Sequence, residues 1–133
     1  MSGAEIIIHS LDHARAALAA AAALKLPVTL ASAPGAASQT GPTWFKAVID
    51  EARAVYPDAA VTAILDCGDE PGAVMAALRA GLADLRFLGA AETAKKLAAM
   101  GARFHETPAP DATLDLLNAR EPEAACRAFL TRH

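Results

Sequence analysis

Ala60-Val61-Thr62-Ala63-Ile64-Leu65-Asp66, followed by Cys67-Gly68-Asp69-Glu70-Pro71, is the stretch that decides the fold. Val61–Leu65 is β-branched and almost uninterruptedly apolar. Such a run reads as a strand buried on both faces, because a strand with one wet face alternates. Asp66 ends the run, Gly68 turns the chain, and Pro71 sits where a first-turn proline belongs in a helix that reaches Ala80, with Gly81 as its left-handed cap. Strand, turn, helix and glycine stop make one βα unit.

The same grammar extends upstream. Glu5-Ile-Ile-Ile-His9 is a β-branched first strand; Ser10 or Asp12 caps a helix over 11–25, and Pro27 stops it. Val28–Ser32 is the second strand. Pro34-Gly35 opens a small-residue loop through Gly41, the longest connection in the chain and a candidate lid. Pro42 starts a helix on which Trp44, Phe45, Val48, Ile49, Ala52, Val55 and Tyr56 recur at helical spacing until Pro57. Downstream, Asp84–Leu88 is a fourth strand, Gly89 turns the chain, and a helix to Met100 is capped by Gly101. Ala102–Glu106 is a fifth, more polar strand, followed by the stiff Thr107-Pro-Ala-Pro110, a helix from Asp111 to Asn118, and a last helix over 121–131.

Strands alternating with helices predict an α/β fold, residues 1–133 forming a single domain around one five-stranded parallel sheet flanked by helices on both faces. The continuously apolar runs 6–8 and 61–65 belong at its centre. The flavodoxin-like order 2-1-3-4-5 puts strands one and three there and the polar fifth strand at an edge. The alternative is a partial (βα) barrel, whose open edges require a partner.

With 133 residues, 54% hydrophobic and 20% charged, the chain can bury a core without disulfides or a structural metal, which excludes disorder and a mini-protein scaffold. A net charge of −3 argues against nucleic acid or an anionic membrane as partner. Ala14–Leu26 carries Arg15 and Lys25 and is too short and alanine-rich to span a bilayer. No signal peptide is apparent, and Cys67 and Cys126 have neither a disulfide-framework nor a zinc-like pattern, so a reducing cytoplasm is expected.

In an open parallel sheet, ligands bind beyond the carboxyl ends of the strands, where the order reverses. Those ends carry His9, Ser10, Asp12 and His13; Ser32 and Gly35; Asp66, Cys67, Gly68 and Asp69; Gly89; His105 and Glu106. Asp66 stands out, because a carboxylate ending a buried strand needs a ligand, a metal or backbone N–H groups to offset its desolvation. The competing reading is that it accepts from the amides of Gly68 and Asp69. Cys67 is a candidate nucleophile disfavoured by its acidic neighbours, and Cys126 is packing. His9 and His13 are four apart, but His9 ends a strand, so they do not form a helical metal pair. His9, Asp66 and His105 have the ligand types of a divalent-ion site, yet no spacing fixes their distance; no metal is assigned and the cofactor stays open. Gly89, Gly68-Asp69 and Pro34-Gly35 can each present amides to a phosphate.

The chain has no G-x-G-x-x-G after its first strand, no P-loop, no G-x-S-x-G and no C-x-x-C. Its length and strand rhythm resemble a response-regulator receiver, with Asp66 where that family's phospho-acceptor stands. The rest of that machinery is missing: strand one ends in His9, strand four in Gly89, and strand five has no Lys. A second stretch, Val61-Thr-Ala-Ile-Leu-Asp-Cys-Gly-Asp69 with Ala76-Ala-Leu-Arg-Ala-Gly81 and Leu85-Arg-Phe-Leu-Gly89, is similar to the rhythm of aldolase-type (βα) barrels, especially metal-dependent aldolases. That resemblance implies Asp66 as an acid/base group and Gly89 in a phosphate-binding turn, with Cys67 in place of the expected His.

The expectation is a domain binding a small anionic metabolite at the carboxyl end of its sheet. Asp66, His9 and His105 are the candidate catalytic residues of lyase-like chemistry, and Ser32, Cys67, Gly68, Asp69 and Gly89 are candidate ligand contacts. The alternative is a non-catalytic interaction or homo-oligomeric assembly module using the helix of Trp44 and Phe45, or an exposed edge strand. A binding site requires a concavity where His9, Ser32, Asp66 and His105 converge; an assembly module requires an apolar patch.

Overall fold

The five expected strands all form, and so do five of the six expected helices. The structure, a computed structural model that describes residues 4–133, runs β1 (Glu5–Ile7), α1 (Leu11–Leu24), β2 (Val28–Ala31), α2 (Ala36–Gln39), α3 (Pro42–Val55), β3 (Val61–Asp66), α4 (Pro71–Arg79), β4 (Asp84–Arg86), α5 (Ala91–Ala99), β5 (Arg103–Phe104), β6 (Thr113–Asp115) and α6 (Pro122–Arg132). Local chemistry sets the boundaries. Ser10 Oγ caps α1 by accepting the His13 N–H at 3.1 Å, and prolines open α3 and α4. Gly81 (φ 92°) and Gly101 (φ 115°) take the left-handed turn after α4 and α5, while after α1 Lys25 (φ 55°) adopts that backbone.

The structure is α/β with one parallel sheet flanked by helices, as expected, but among the described residues that sheet has six strands, in the order β5-β4-β3-β2-β1-β6. Two details of the expectation are corrected. Residues 111–118 are not a helix: the start signal at Pro110-Asp111 is used by a single 3-10 turn (Pro110–Ala112), and Thr113, Leu114 and Asp115 then pair in parallel with Glu5, Ile6 and Ile7. The flavodoxin-like order 2-1-3-4-5 does not form either, since β2 lies between β1 and β3. The fifth strand is an edge as expected, and the other edge is β6.

Consecutive order with right-handed crossovers sends every crossover helix to the same side of the sheet. The contacts agree: α6, α1, α3, α4 and α5 pack successively in one row. The other face of the sheet is therefore not covered by helices, which corrects the expectation of two helical layers. It is covered by curvature. Glu5 on β1 and Arg86 on β4 are three strands apart and four residues out of register, a separation of about 20 Å in a flat sheet. Their side chains nevertheless form a bidentate ion pair at 2.7 and 3.0 Å. The sheet curls enough to bring side chains of β1 and β4 together across its concave face, the curvature that an open (βα) barrel also has.

The register sorts the side chains. Ile6, Leu30, Leu65 and Leu85 turn outward with Ile8 and Val28 into the helix-covered core, where Phe45, Leu18, Val74 and Leu116 complete the packing. Glu5, Ile7, Ala31, Ile64, Asp66, Asp84, Arg86, Arg103, Thr113 and Asp115 share the concave face. Phe45 is fully buried within this core and Trp44 packs half-buried against it, so the helix offered as an assembly surface spends its largest apolar contacts on its own chain.

Candidate functional site

The concave face places titratable groups at its carboxyl rim, and the satisfaction of each one shows what remains open to chemistry. Deepest is Arg86, at the end of β4. Its guanidinium holds both oxygens of Glu5 and also donates to the carbonyls of His105 (3.4 Å) and Glu106 (2.9 Å). Arg86 and Glu5 are each only 4% exposed. Buried, paired and ringed with acceptors, they are a structural bolt joining β1, β4 and the segment after β5.

Asp66 ends β3 with 5% exposure. Its Oδ1 accepts two backbone amides, Gly68 N–H at 2.9 Å and Gly35 N–H at 3.0 Å. The turn-capping role is thus present, although the second donor is Gly35 from the loop after β2 rather than Asp69. Oδ2 accepts nothing from the described residues. No side-chain nitrogen or oxygen among them is both sealed from solvent and unpartnered, so Oδ2 faces accessible space. Ser32 supports the residue from behind: its Oγ accepts the Asp66 N–H at 2.9 Å and donates to the Ala33 carbonyl.

His9 follows β1 on the same face. Its Nε2–H donates to Asp115 Oδ1 at 2.6 Å, and that oxygen also accepts the Leu117 N–H. Nδ1 of His9 has no hydrogen-bond partner among the described residues. The His9 backbone N–H donates to Nδ1 of His13 at 3.0 Å, fixing that ring's tautomer, and the two imidazoles meet edge to face. Burial, and secondarily His9, lowers the His13 pKa below its ordinary value, against the opposing pull of Asp115 and Asp12.

Continuing the β1–β2–β3 register carries His9 and Asp66 level with Ala33 on the strands to either side, about two strand spacings or 10 Å apart, both facing the hollow. His105 does not join them. Its ring folds back to Asp84 Oδ1 (2.9 Å) at the beginning of β4, where Arg103 grips the same carboxylate twice at 3.0 Å. The Arg103 guanidinium holds the Asp84 carboxyl below its usual range, with a smaller contribution from His105.

The other expected contacts divide similarly. Cys67 is buried with the outward-facing core, and burial, followed by the charge of Asp66, pushes its thiol up to about 12, so it is protonated and inert at neutral pH. Gly68 takes the left-handed turn (φ 58°), and its carbonyl accepts Leu88 N–H at 2.7 Å, tying the loop after β3 to that after β4. Asp69 is exposed. Gly89 makes room for a ring, since a Cβ there would run into Phe87. The starts of α4 and α5 have no side-chain cap, which leaves first-turn amides at this end of the barrel. No three His, Cys, Asp or Glu groups among the described residues are grouped to hold a metal ion, and no helix among them is long and apolar enough to cross a membrane.

Asp115 and the Glu5–Arg86 pair were not legible as site features: Asp115 sits in a segment with helical spacing, and the ion pair joins residues 81 positions apart. A cavity of about 590 Å³ lies at the opposite, amino end, between the ends of α1 and α3, lined by Leu26, Val55, Tyr56 and Pro57 among others. None of His9, Ser32, Asp66 and His105 lines this cavity. No protein-family model and no curated protein matches the chain.

Proposed function

We propose that the carboxyl rim of the curled sheet binds a small anionic metabolite between Asp66 and His9, and that these two groups exchange protons with it in lyase-like chemistry. The carrying observation is the half-satisfied carboxylate of Asp66. A side chain so deeply buried, with one oxygen fully used by two amides, leaves the other oxygen toward accessible space, where a bound hydroxyl or a proton is its natural partner. Two strands away, Asp115 orients His9, leaving Nδ1 as the second proton-transfer atom. The anionic part of the ligand is met by the uncapped amides opening α4 and α5. The consecutive strand order is common to barrels of many chemistries; it supports the location, while the lyase class rests on the aldolase-like rhythm around Asp66.

The test is a thermal-shift screen of the protein against phosphorylated and carboxylated metabolites, with and without divalent metals, alongside its solution mass. Asp66→Asn keeps an oxygen for the two amides and removes the charge. A stabilising compound whose effect disappears in Asp66→Asn and His9→Asn, and survives in Asp58→Asn at the amino end, supports the reading. No stabilising compound, together with a concentration-dependent oligomer, replaces it with the assembly reading.

A further inference from the structure

We propose that residues 33–41 are a flap over the carboxyl rim and that Asp66 is its latch. The segment between β2 and α3 contains only the single turn of α2, bracketed by Gly35 (φ 69°) and Gly41 (φ 90°). A Cβ on either glycine would meet nothing within 4 Å, so these glycines serve backbone rotation rather than close packing. That is the arrangement of two hinges.

What holds the flap down is small and mostly polar. Ala36 and Ala37 bury two methyl groups against the core. Gly35 N–H donates to Asp66 Oδ1, and Ser38 Oγ donates to Glu70 at the start of α4. With so little apolar area to hold it, the hydrogen bonds decide whether the flap stays closed. The principal bond uses the same carboxylate whose other oxygen faces the rim. A ligand donating to Oδ2 fixes the carboxylate in the orientation that Gly35 requires, so an occupied rim and a closed flap favour each other. This coupling rests on the proposed ligand site; the latch does not.

Hydrogen–deuterium exchange on the full chain separates the two. Without any compound, Asp66→Ala should raise exchange of amides 35–41 about tenfold or more, as expected for loss of a hydrogen bond to a charged group, while Asp66→Asn stays within a few-fold of the parent. Should Asp66→Ala not fold, the exposed pair Ser38→Ala/Glu70→Gln serves instead, with a several-fold rise confined to the same amides. Unchanged flap exchange in a folded variant, or a rise spread evenly over β1–β3, overturns the latch. A compound from the thermal screen should then slow exchange at 35–41 in the parent and not in Asp66→Ala. If the compound binds and these amides do not respond, the coupling fails while the ligand site stands; if the latch is seen and no compound binds, the ligand site fails while the latch stands.

Discussion

Two buried carboxylates on the same concave face have opposite fates. Glu5 meets Arg86 with both oxygens, and Arg86 spends further hydrogens on the carbonyls after β5, so the pair has nothing left to give. Asp66 is as deeply buried, yet its two donors converge on one oxygen. The first arrangement bolts the barrel; the second holds a turn and keeps an acceptor in reserve. Burial of a charged group is thus no sign of function by itself. The diagnostic is whether the protein supplies a partner for every lone pair that it withdraws from water.

The sharpest way to break this contrast is to remove one half of the bolt. Arg86→Ala leaves Glu5 buried and unpaired, and unfolding in denaturant should show a loss of about 3–5 kcal/mol. Replacing both residues with apolar side chains of similar volume, Glu5→Leu with Arg86→Met, should recover most of that loss. If Arg86→Ala costs under about 1 kcal/mol, the pair is not the closure of the sheet. Asp66→Ala comes next. It strands two amides and should cost about 1–3 kcal/mol, against under about 1 for Asp66→Asn; equal costs in the two variants mean that the charge, not the acceptor, holds the turn.

A smaller effect sharpens the rim itself. The folded-state pKa of His13 lies below its unfolded value near 6.5, so its contribution to stability is fully present above that pH and fades as pH falls through the lowered folded value. His13→Gln should flatten the stability profile between about pH 7 and 5, measured by denaturation at several pH values. An unchanged slope there places the titration elsewhere. The smallest effect concerns Cys67, whose thiol is pushed up to about 12: native protein at pH 8 should leave it unalkylated by iodoacetamide, with full reaction only after unfolding.

Local chemistry was legible and spatial arrangement was not. Caps, prolines and glycines act over a few residues, so the starts at Leu11, Pro42 and Pro71 and the turns at Gly81 and Gly101 fall where the sequence puts them. Strand order depends on what covers a face. A strand buried by helices on both sides and a strand buried by the curl of its own sheet both read as Ile-Ile-Ile or Val-Thr-Ala-Ile-Leu, so the apolar runs could not distinguish a flavodoxin-like centre from a barrel wall. β6 was hidden for the same reason: three residues with helix-like flanks become a strand because β1 offers them a ladder. At the site, Asp66 and His9 reach one rim because each directly ends or follows a strand on the concave face, while Ser32, on the outward alternation, meets the backbone N–H of Asp66. His105 also follows a strand, but its ring turns back to Asp84 at the beginning of β4, a side-chain preference that strand-end position does not encode.

The pairing of β6 with β1, and the packing of α6 on α1, also set an order of events during synthesis. The first strand emerges from the ribosome with one of its two edges unpaired, and the segment that covers it follows more than a hundred residues later. Until Thr113–Asp115 arrives, the nascent chain presents an isoleucine-rich parallel edge to its surroundings. The sheet is therefore completed only once β6 is available, and ribosome-bound chains arrested before residue 113 should be captured by chaperones that do not hold the folded chain.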